Sequence, residues 1–104
     1  MQVTQIKQEL SQVDQIIQRA ARAIQGDKSA PQELKECVRT LEQQSKKAQS
    51  ANDEQSLTQC VDDMEDASDR AKAAVEKSMQ VATETKDAVL QTHRKLSSLK
   101  HQLQ

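Results

Sequence analysis

The sequence predicts an all-α protein: an antiparallel three-helix bundle or coiled coil, with helices at about 2–25, 31–50 and 53–103, whose overlong C-terminal helix completes its core by dimerisation. Two features of the chain lead there. In 104 residues Gly and Pro occur once each and Phe, Tyr and Trp not at all, which is the composition of a helix-only chain with narrow apolar seams rather than a thick globular core. Apolar and small residues also recur in alternating steps of three and four, the period of one face of a helix, and over residues 57–103 they do so with no Gly or Pro inside.

The first helix follows from Val3, Ile6, Leu10, Val13, Ile17, Ala20 and Ile24, with Ile16 and Ala23 widening the stripe. Arg22 in its last turn suits the negative end of the helix dipole, and Gly26 reads as a left-handed terminator. Ser29, Pro31 and Gln32 then read as a start signal, with Ser29 as N-cap, Gln32 closing a capping box and Pro31 in a first turn where its missing amide costs nothing. The second helix carries Leu34, Cys37, Val38, Leu41, Ser45 and Ala48.

Extending that stripe demands apolar residues at 52, 55, 59 and 62, where the chain has Asn52, Gln55, Gln59 and Asp62, so a tight turn is expected near residues 50–52. The phase restarts at Leu57 and runs through Val75, Ser78, Ala82, Thr85 and Val89 to Leu103. Read literally, that is one helix of roughly 75 Å at 1.5 Å per residue. The alternative, a turn near residues 79–86 making four shorter helices, finds no break in phase to support it.

Antiparallel pairing of the first two helices sets Ile24 against Leu34, Ile17 against Leu41 and Leu10 against Ala48, stripe to stripe. The same reasoning sets Cys37 near Met64 and Cys60 near Leu41, with the two thiols about a turn out of step, which makes them buried small hydrophobes rather than a disulfide. Within a single domain, 1–104, residues 1–70 form the three-helix portion and 71–104 a protruding helix. Its seam of Val75, Ala82, Val89, Leu96, Leu99 and Leu103 needs cover worth on the order of 5 to 10 kcal/mol. The third helix begins acidic, from Asp53 to Asp69 without a base, and ends with Arg94, Lys95 and Lys100, so an antiparallel homodimer brings opposite charges together.

The formal net charge of −1 gives no bulk electrostatic reason to bind nucleic acid or an anionic membrane. No apolar run is long enough for a membrane span or a signal peptide, and two distant cysteines fit a reducing compartment, so the protein is expected in the cytoplasm. No catalytic, cofactor-binding or metal-binding residues are predicted, since there is no nucleophile with a base, no phosphate loop, no Glu-x-x-His pair and no aromatic wall. Asp62, Asp66 and Asp69 share a face that reads as solvated, because a helix spaces carboxylates too stiffly to wrap a cation. His93 and His101 with Arg94, Lys95 and Lys100 read as a cation-rich helix end. The expected function is a non-catalytic structural or protein-interaction bundle that partners itself and offers its seam to another helical protein. The alternative is a chaperone-like or regulatory module that takes a partner's amphipathic helix along residues 71–103.

Overall fold

Residues 1–103 are described by a computed structural model, in which four helices follow one another: α1 Val3–Gln25, α2 Gln32–Ser50, α3 Glu54–Lys77 and α4 Thr83–Leu103. Each runs antiparallel to the next. α1 lies between α2 and α4, α3 lies between them on the other side, and α1 and α3 face each other across a diagonal. The bundle measures 40 × 22 × 17 Å, close to the length of one helix. The turns at residues 26–31 and 78–82 share one end, and the turn at 51–53 lies at the other.

The three-helix expectation is therefore corrected. The third helix does not run from 53 to 103 but stops at Lys77 and restarts at Thr83 as α4. The seam's phase through this region rested on Ser78 and Ala82, neither of which is buried, so keeping the helix intact there would gain almost nothing. Folding back instead buries Val75, Val89, Leu96 and Leu99 within one chain, each at most 2 % exposed. The region 71–103 does not protrude: α4 packs on both α1 and α3.

The core has two halves. Ile6, Leu10, Val13, Ile17, Leu41, Leu57, Val61, Met64, Leu96 and Leu99 fill the half near the termini. Ile24, Leu34, Val38, Ala71, Val75 and Val89 fill the half near the 26–31 turn. Between them lie Ser68 and Thr92, both buried, whose hydroxyls donate to the backbone carbonyls of Glu65 at 2.7 Å and Ala88 at 2.8 Å. Bonding to their own helix lets two hydroxyls sit inside without orphaned donors.

The helix ends follow local chemistry only in part. Asp53 caps α3, accepting from the Ser56 amide at 2.9 Å. Ser29 does not cap α2; Pro31 occupies that position with no side-chain bond, and the Ser29 amide donates to Asp27 Oδ1 at 3.0 Å in an Asx turn. Gly26 ends α1 at φ −89° in the right-handed region, so the left-handed terminator is not used. The α1–α2 register holds, marked by Ser45 Oγ donating to Asp14 Oδ1 at 2.6 Å. Of the expected α2–α3 neighbours, Leu41 and Cys60 share one half of the core while Cys37 and Met64 fall in different halves, and both cysteines are free and buried as small hydrophobes.

Candidate functional site

Acidic residues early in α3 and basic residues late in α4 meet once the chain folds back, and they form a polar cluster between the two helices. Glu65 is at its centre. Lys100 Nζ donates to Glu65 Oε2 at 3.4 Å, Ser97 Oγ lies 3.5 Å from Glu65 Oε1, and His93 Nε2 lies 3.3 Å from Asp69 Oδ1 and 4.0 Å from Glu65 Oε1. The charge complementarity that the sequence assigns to two antiparallel copies is thus satisfied inside one chain.

Serine, histidine and aspartate side by side invite comparison with a hydrolytic triad, and the geometry excludes it. Ser97 Oγ is 3.4 Å from the same His93 Nε2 that meets Asp69, whereas a relay needs the two partners on opposite ring nitrogens. The cluster ties α3 to α4. Of the three aspartates singled out on one face, only Asp69 takes part; Asp66 is exposed and Asp62 half-buried. Among the described residues no three carboxylate, imidazole or thiol groups converge as metal ligands. His101 and Arg94 are exposed, while Lys95 reaches across to α1 and pairs with Glu9 at 2.6 Å.

At the end of the bundle that carries the 26–31 and 78–82 turns, Asp27 joins two segments far apart in sequence. Its Oδ2 accepts from the Ala82 amide at 2.8 Å and from Thr85 Oγ1 at 3.2 Å, so a residue of the first turn caps the start of α4. The Ala82 amide, followed by the Ser29 amide and the Thr85 hydroxyl, holds the Asp27 carboxyl below its usual range. Sequence reading missed this residue as a cap for α4. The Asp-Lys-Ser run signals an Asx turn, but nothing local signals a partner 55 residues away.

Beside this end, α1 and α2 leave an open groove of about 430 Å³. Ala21, Ile24 and Val38 form its floor, and Lys28, Lys35 and Arg39 stand on its rim with Asp27 and Glu42. The predicted seam is placed otherwise. Val75, Val89, Leu96 and Leu99 are core residues, Leu103 is partly buried against the core, and Ala82 is exposed in the turn. Burial also pushes the thiols of Cys37 and Cys60 up from their usual value, which makes them poor nucleophiles. No helix among the described residues is long and apolar enough to cross a membrane. No family model, curated protein or solved structure matches the chain.

Proposed function

We propose that this chain is a non-catalytic helical bundle that works by binding another protein, in the reducing cytosol that two unpaired buried thiols suit. The observation that carries this reading is how the reactive groups are used. Asp27, Glu65, Asp69 and His93, the groups whose surroundings could favour chemistry, are all engaged in joining one segment of the bundle to another. Cys37 and Cys60 lie in the core as apolar filler. What is left outward is an apolar-floored groove between α1 and α2 whose rim carries Lys28, Lys35 and Arg39 against Asp27 and Glu42, a surplus of one cation. A short acidic, amphipathic segment of a partner protein suits that surface better than nucleic acid, for which the chain offers no stacking side chain.

A groove along residues 71–103, the alternative surface, is taken up in this fold by α1 and α3, and a partner reaches it only by displacing α4. A photo-crosslinking amino acid at Lys35, in cells of the native source, tests the proposal. The expected result is one discrete adduct of higher mass that is lost when Lys28 and Arg39 are both changed to Glu. No adduct at Lys35, or one indifferent to the charge reversal, refutes the α1–α2 surface.

A further inference from the structure

The two turns at the Asp27 end of the bundle are built on different principles. The segment between α1 and α2 contains Gly26 and Pro31, which stop a helix by themselves. The segment between α3 and α4 reads Ser-Met-Gln-Val-Ala and has neither. None of its residues has a positive φ, so each can move into the helical region without steric cost, and Met, Gln and Ala are good helix formers. The turn also buries little: Met79 is 97 % exposed, and Val81 is only partly covered.

What holds this break lies elsewhere in the chain. The Ala82 amide is bonded to Asp27, whereas in an uninterrupted helix it would donate to the carbonyl of Ser78. Asp27 therefore competes directly with helix propagation through the turn. The heptad phase passes through Ser78 and Ala82 without a slip, so a straightened α3–α4 helix would present all its seam residues on one side.

From these observations we infer that residues 78–82 are a hinge, and that its straightening lets two copies of this chain exchange α4 in a domain-swapped dimer. The occupant of the vacated α4 site is a second copy of the same helix, because every requirement of the site is already met by it. The α3–α4 pairs His93–Asp69 and Ser97–Glu65 are both centred on residue 81, inside the hinge. Two straightened helices laid antiparallel about a two-fold axis at that point re-form the same pairs between chains, with Lys100 again on Glu65 and Lys95 again on Glu9. The bonds given up at the turn are those of Asp27 to Ala82 and Thr85 and that of the Ser78 amide to the Val75 carbonyl, and the helical bonds of the straightened turn replace the backbone ones. The swapped form is a rod about 75 Å long, against 40 Å for the closed bundle.

The test is refolding of the full chain from denaturant at low and high protein concentration, followed by light scattering, small-angle X-ray scattering and amide hydrogen exchange. The expected result is a dimer fraction that grows with refolding concentration, persists on dilution because exchange requires opening, has about twice the monomer's length, and slows exchange at Met79, Gln80 and Val81. Asp27→Ala should raise the dimer fraction several-fold, and Gln80→Pro, which cannot continue a helix, should abolish it while leaving a folded monomer. If Asp27→Ala does not fold, the wild-type chain and Gln80→Pro decide the question between them. A chain that stays monomeric at every concentration, or a dimer that Gln80→Pro leaves intact, overturns the inference.

Discussion

Leu96 separates a hairpin closed within one chain from a rod that waits for a second copy. Its side chain is fully buried in the terminal half of the core, among residues such as Met64 and Val61. Leu96→Ala removes three carbons, worth about 2.4 kcal/mol in transfer free energy at about 0.8 kcal/mol each, and leaves a cavity that adds roughly another 1 kcal/mol. A loss of about 3 kcal/mol is a large part of the 5–15 kcal/mol typical of a domain of this size. At about 2.1 cal/mol/K per residue of unfolding entropy it should lower Tm by roughly 13 °C. Urea and thermal melts at micromolar concentration read both numbers. The melt should also be independent of protein concentration, because a closed hairpin has no partner to lose. Leu103→Ala, partly buried at the end of α4, should cost less than about 1 kcal/mol. A Leu96→Ala cost below about 0.5 kcal/mol, or a wild-type Tm that rises steeply with concentration, would refute the closed bundle.

Acid should act through the two capping aspartates. Asp27 and Asp53 are both held below the usual carboxyl value of 3.8, by the Ala82 amide and the Ser56 amide respectively. The stability they contribute is complete above that value and is lost as pH falls through their lower folded values. The gap in stability between wild type and Asp27→Asn, measured by urea melts from pH 7 downward, should therefore narrow below about pH 4; a constant gap would contradict the capping role. Cys37 and Cys60 should resist alkylation in the native protein and react freely in urea, and stoichiometric labelling within seconds at pH 8 would place them at the surface instead. The Glu9–Lys95 pair is only partly shielded, so a double-mutant cycle to alanine should return a coupling under about 1 kcal/mol, shrinking further in salt.

Much of the architecture is legible in the residues. The stripe from Val3 to Ile24 specifies α1 to within a residue, and the failure of phase at Asn52 and Gln55, with Asp53 behind it, locates the α2–α3 turn. The pairing of α1 with α2 follows from matching apolar stripes, and the Ser45–Asp14 bond lies at that register. The acidic and basic stretches, expected to pair between two antiparallel copies, meet between α3 and α4 of one chain. Local rules misjudged Ser29 and Gly26, because Asp27 draws the Ser29 amide into an Asx turn and Gly26 stays right-handed.

By itself, then, the sequence determined which residues are helical faces, where the first two breaks fall, and that the two ends of the last seam carry opposite charge. Only the tertiary structure decided that they meet within one molecule. The reason is a comparison of costs. Closing a turn of five residues loses only loop entropy, while recruiting a second copy gives up translational and rotational freedom estimated at about 4–15 kcal/mol at 1 M standard state. Local propensity at residues 78–82 does not itself stop a helix, so that difference, together with a carboxylate from the neighbouring turn at the same end of the bundle bonded to the Ala82 amide, sets where the helix stops.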